Sequence, residues 1–277
     1  MEALDVTDLV EFLQRRESVS GVQRVIAETA PLLLDRTRAV VLDRGRGVFV
    51  PLTDDEVGAL LLDPSAGGGA DRDAVAAAAT ACLARAATAP ALPIDARTVL
   101  VFLGAAWISD ALMMAARAAH ADGARLVFLL YDLTPVLETG HTAAVGGLFD
   151  RYLDLVLRCA SAVPAISASS RADLEAYAAQ RGLTAPPGGV TGLPCGLAPG
   201  MYDTSESPWP RPYALMVGTI EARKNHIVAL RAWQTLLERL DPADVPDLVC
   251  IGRLGWHADE FLREYVTTQG LGGRVSV

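Results

Sequence analysis

The chain has 277 residues, 51% of them apolar and 21% charged, with a formal net charge of −9. This is the composition of a globular protein and excludes a disordered chain, while the length predicts one large domain plus part of another. The acidic balance excludes general binding to nucleic acid or to an anionic lipid surface, both of which reward Lys and Arg.

Met1 is followed by Glu2, Asp5, Asp8 and Glu11, where a signal peptide needs basic and then apolar residues, so a cytoplasmic protein is expected. Residues 6–14 carry apolar positions at helical spacing, 15–20 form a polar loop ending at Gly21, and 22–34 predict a second helix. Runs at 39–43 and 47–52 with a turn between them predict a β-hairpin. A Gly-rich loop at 64–70 leads to an alanine-rich helix at 71–89 with a weak core face.

From there strands and helices alternate: strand 99–103, helix 109–121, strand 125–130, helix 142–160, strand 162–166, helix 171–181. Such alternation predicts a parallel sheet covered on both faces. The longest apolar-looking run, 98–108, falls short of the roughly 20 residues of a membrane helix. Residues 185–212 hold seven prolines and predict a linker. Alternation then restarts with strand 213–217, helix 225–240, strand 247–251, helix 259–268 and strand 274–277. The expected organisation is a first domain over 1–195, a linker over 196–212 and a partial second domain over 213–277, whose three-stranded sheet has an exposed edge.

Cys82, Cys159, Cys195 and Cys250 are widely spaced, which suggests free thiols and neither a zinc site nor a disulfide framework. Cations are distributed unevenly: 23 arginines stand beside a single lysine, Lys224. That lysine lies in Val217-Gly218-Thr219-Ile220-Glu221-Ala222-Arg223-Lys224-Asn225, where an apolar strand hands over to an amphipathic helix. Free amides at the helix start, the positive end of its dipole, a guanidinium and an ammonium converge there and suit a diphosphate. Adjacent cations at a helix N-terminus cost about 0.3–1 kcal/mol each without an anion, which weighs against a plain turn with solvated charges. No Asp-x-Asp metal motif lies within this segment.

Other segments carry weaker signals. Ser20-Gly21-Val22-Gln23-Arg24 precedes a helix, where Gly21 lets amides approach an anion or simply opens a capped helix. Asp132 follows the strand 125–130, where a carboxylate either binds hydroxyls or caps the turn at Leu133–Pro135. His141 reads as an ordinary exposed imidazole, and His226 as packing beside the phosphate turn. Gly252, in Ile251-Gly252-Arg253-Leu254-Gly255-Trp256, has room for a nucleotide, but these glycines do not complete a dinucleotide fingerprint.

Taken in order, these segments resemble glycosyltransferase family 4. Val217–His226 is similar to the family's phosphate motif, Ser20–Arg24 to its N-terminal loop, Tyr131–Pro135 to its segment of His or Tyr before Asp, and Ile166–Leu174 to its sheet-edge helix start; 249–256 and 270–277 continue the match. The resemblance implies an α/β protein of GT-B type with two Rossmann-like domains facing a cleft, and retaining, metal-independent transfer without a cofactor. The donor would be a nucleotide diphosphate sugar, and the acceptor a saccharide or lipid-linked saccharide in polysaccharide or glycan assembly, with peripheral association at the inner membrane face compatible with such an acceptor. By carry-over, Arg223 and Lys224 hold the diphosphate with Gly218, Thr219 and Gly252 around it, Gly21 approaches the same phosphates, and Asp132 lies near the sugar or acceptor. The family's acidic donor-recognition motif falls beyond Val277, so a C-terminally truncated donor domain is expected, and Tyr131 replaces the His of some members. The alternatives are a non-catalytic GT-B-like subunit that needs a partner and an epimerase of the same architecture.

Overall fold

A computed structural model describes residues 1–15, 21–62, 72–137, 143–193 and 207–277, with backbone alone for 143–145. Ser20, His141 and Cys195 lie outside the described residues. The chain divides into two compact units, Met1–Gly196 and Leu197–Val277. Both are α/β.

In the first unit the elements run β1 (Glu2–Asp5), α1 (Thr7–Gln14), α2 (Gly21–Leu33), β2 (Thr37–Asp43), β3 (Val48–Pro51), α3 (Asp54–Val57), α4 (Arg72–Ala86), β4 (Val99–Phe102), α5 (Asp110–Ala121), β5 (Arg125–Phe128), α6 (Thr134–Leu137), α7 (Ala143–Cys159), β6 (Ala160–Ala162) and α8 (Ala168–Gln180). The sheet has the order β3-β2-β1-β4-β5-β6, with every pairing parallel except the hairpin of β2 and β3. The hairpin and the alternation of strands and helices fall where the residue pattern predicts them, though β6 covers 160–162 where a strand is expected at 162–166, with only isolated bridges at Ala165 beyond it.

β1 is the exception, because residues 2–5 carry no strand expectation: the segment is short and its charged residues mask it. It is nonetheless central, pairing Leu4 with Ala39 on one side and with Val101 on the other. Ala3 and Leu4 are fully buried. Period-two alternation divides the core between the two faces. Ala3, Val40, Leu42, Phe102 and Phe128 pack with Leu112, Met113, Leu153 and Leu174 of α5, α7 and α8, and the Phe102 and Phe128 rings stack at 4.6 Å. Leu4, Val41 and Val50 face Leu9, Leu13, Ile26, Val75, Ala79 and Cys82 of α1, α2 and α4. The alanine-rich α4 thus does present a core face, built of small residues. Helix starts follow side-chain caps: Ser109 accepts the Leu112 N–H at 3.1 Å and Ser167 that of Ser170 at 3.0 Å.

The proline-rich stretch beginning at 185 is in part structural. Beyond β6, the Val163 N–H donates to the Pro187 carbonyl and the Ala165 N–H to the Gly189 carbonyl, adding an extended segment at the sheet edge, where proline is tolerated. Gly188 is required there because a β-carbon would overlap the Val163 carbonyl.

The second unit comprises β7 (Tyr213–Val217), α9 (His226–Arg239), β8 (Asp247–Ile251), α10 (Asp259–Thr267), α11 (Gln269–Gly273) and β9 (Val275–Ser276), with a parallel sheet β7-β8-β9. One face packs Ala214, Met216, Leu248 and Cys250 against Leu230, Trp233 and Phe261 of α9 and α10. The other leaves Leu215, Val217 and Ile251 more than half exposed. Residues ahead of β7 belong to this unit: Trp209 Nε1 donates to Asp247 Oδ2 at 3.0 Å, and Asp247 pairs with Arg274 at 2.8 Å. Among the described residues no helix is long and apolar enough to cross a membrane.

Candidate functional site

At the carboxyl edge of the second unit, the chain leaving β7 is laced to the chain leaving β8. Gly218 N–H donates to the Ile251 carbonyl, Ile220 N–H to Arg253, Gly255 N–H to Ile220 and Ala222 N–H to Trp256, at 2.8–3.2 Å. Such zipping needs glycine. A β-carbon on Gly252 would overlap the Gly218 carbonyl, and one on Gly255 would meet Glu221 Cβ at 3.2 Å. Gly218 itself has φ +154°, which strains any side chain. The missing side chain of Gly252 therefore admits the neighbouring loop.

This laced support carries the cations. Ala222–Lys224 form one 3₁₀ turn, Asn225 follows in the left-handed region at φ 57°, and α9 begins at His226. Thr219, Arg223 and Lys224 are exposed. Arg223 Nη2 donates to Glu221 Oε1 at 2.8 Å. No acidic residue occupies the first turn of α9, so the positive end of its dipole stands next to two cations. His226 is 2% exposed, its ring lies 5.6 Å from that of Phe261, and neither ring nitrogen has a hydrogen-bond partner among the described residues. Burial pushes its pKa down, with Glu221 opposing and Lys224 adding to the shift, so the imidazole is neutral at pH 7.

The first unit's carboxyl edge is acidic and internally satisfied. Strand order reverses at β1, and in open parallel sheets the ligand crevice lies outside the strand ends at such a reversal. There Asp8 accepts Gln23 Nε2 at 3.0 and 3.2 Å and the Ala105 N–H at 2.9 Å. Gly104 fits beneath it, since a β-carbon would lie 2.9 Å from Asp8 Cβ and 3.0 Å from Ile26 Cδ1. Asp5, fully buried, accepts the Thr7 hydroxyl at 2.5 Å and the Thr7 N–H at 3.2 Å, and Thr7 Oγ1 in turn accepts the Leu42 N–H. Burial raises the pKa of Asp5 to about 7 and that of Asp8 in the same direction.

Gly21 opens α2 at φ +47°, two residues before Gln23, with space where a β-carbon would stand. Asp132 is exposed after β5, and its Oδ1 accepts the Thr134 N–H at 3.0 Å, so it caps the turn. Tyr131 Oη donates to the Leu103 carbonyl at 2.7 Å, tying the exits of β5 and β4 together. Asp5 and Asp8 at the first unit's carboxyl edge, and Glu221 beside Arg223, are candidate site residues to which the residue pattern assigned no role. The available signal was the run Asp5-Val6-Thr7-Asp8, carboxylates set among apolar residues.

Gly218, Thr219, Arg223, Lys224 and Gly252 are thus brought together on the second unit, while Gly21 and Asp132 stand at the carboxyl edge of the first. Among the described residues, no group of three or more His, Cys, Asp or Glu is placed to hold a metal ion. Compared with models of protein families, with curated proteins and with solved structures, the chain matches none.

Proposed function

We propose that this chain is a glycosyltransferase of GT-B type, moving a sugar from a nucleotide diphosphate sugar to a saccharide or lipid-linked saccharide acceptor with retention and without a metal. The observation that carries the reading is the pair of exposed cations, Arg223 and Lys224, on a glycine-laced turn at the start of α9. As the donor's glycosidic bond breaks, negative charge builds on the departing diphosphate. Fixed cations and helix amides interact more strongly with that charge than with the ground state, which lowers the barrier. The exposed carboxylate of Asp132 is assigned to a hydroxyl of the sugar or acceptor.

Incubating the chain with UDP- and GDP-sugars and a saccharide acceptor tests the reading. Acceptor-dependent release of nucleoside diphosphate is expected, whereas donor isomerised without acceptor identifies an epimerase. The exposed face of Leu215, Val217 and Ile251 favours one second reading, a GT-B-like subunit completed by a partner. It predicts no transfer by the chain alone and activity when the partner is added.

A further inference from the structure

Glu221 is the residue that an anion site explains least. Its side chain is 18% exposed, its carboxylate holds Arg223 at 2.8 Å, and it lies directly against Gly255. The backbone on either side is fixed by the bonds from Ile220 N–H to Arg253 and from Ala222 N–H to Trp256, and the Glu221 carbonyl accepts the Lys224 N–H at 3.0 Å. The carboxylate is therefore held beside the Arg223 guanidinium. A partly exposed ion pair adds little to folding, and a fixed negative charge opposes any anion that approaches.

We propose that Glu221 is a resident counter-anion: it occupies Arg223 in the empty site, competes with an incoming diphosphate and sets how tightly that diphosphate is held. This rests on the reading of the turn as a diphosphate site. The repulsion grows with ligand charge, so pyrophosphate feels it more than inorganic phosphate does. A diphosphate so held also departs readily, which matters where product release limits turnover.

Glu221→Gln separates charge from position, because the carboxamide oxygen still accepts from Arg223 and the volume is kept. Titration calorimetry of the full chain is expected to show pyrophosphate and UDP binding about tenfold tighter in the variant, with a smaller gain for inorganic phosphate. Equal or weaker pyrophosphate binding overturns the proposal. Glu221→Ala, which removes the charge and the side chain packed against Gly255, gives the same readout if the Gln variant does not fold. Arg223→Ala with Lys224→Ala is the control for the underlying reading: if it binds pyrophosphate as the unaltered chain does, the diphosphate site itself fails. If it weakens binding while Glu221→Gln does not tighten it, only the counter-anion fails.

Discussion

The two sheets end in edges of opposite character. At the first unit's edge the carboxylates of Asp5 and Asp8 are buried and held by neutral donors. At the second unit's edge Arg223 and Lys224 stand in solvent on a turn whose glycines exist to lace two loops. Strand order and helix placement follow the same α/β logic in both, so polarity is set by what each loop carries and not by the architecture. The second edge thus presents positive charge to solvent, and the first keeps Asp5 and Asp8 buried with Asp132 exposed.

The buried carboxyl of Asp5 should make the stability of the chain strongly pH-dependent. Its folded pKa of about 7 lies above the usual carboxylate value, so between about pH 4 and pH 7 the folded chain keeps a proton that the unfolded chain has lost. Its contribution to stability is full below about pH 4 and is lost as pH rises through 7, by an amount on the order of a few kcal/mol. Asp8 acts in the same direction. Urea unfolding of the chain and of Asp5→Asn should diverge as pH rises, the variant gaining relative stability; parallel curves from pH 4 to 8 would break the assignment.

Asp8→Ala comes next. It leaves Gln23 and the Ala105 N–H without their acceptor and should cost about 1–3 kcal/mol, visible as faster hydrogen exchange at the start of α2. Arg223→Ala with Lys224→Ala, by contrast, should leave stability nearly unchanged, because both side chains are exposed. The smallest effect is expected on the open face of the second sheet, where Leu215→Ser should shift stability by less than about 0.5 kcal/mol. A larger loss would show that this face is covered in solution.

Much of this was legible in the residues. Strand 213–217, strand 247–251 and the hairpin stand out because β-branched and apolar runs are bounded by Gly, Pro and Arg turns, and the cationic turn because one lysine stands among arginines. β1 was not legible, since its burial comes from lying between two parallel neighbours and not from its own short sequence. The extended segment at Pro187–Val190 was hidden by its proline, whose missing N–H group is harmless at an edge. Gly252 shows the limit of motif reading. A glycine beside a proposed ligand site suggests close approach of the ligand, but here the atom it admits is the Gly218 carbonyl.

If Arg223 and Lys224 grip anionic phosphate at the start of α9, UDP titrated into the full chain should bind saturably, and the affinity should fall by at least about tenfold in Arg223→Ala with Lys224→Ala, in line with the loss of charge-assisted contacts. Equal affinity in the two proteins would mean that these cations do not hold the diphosphate.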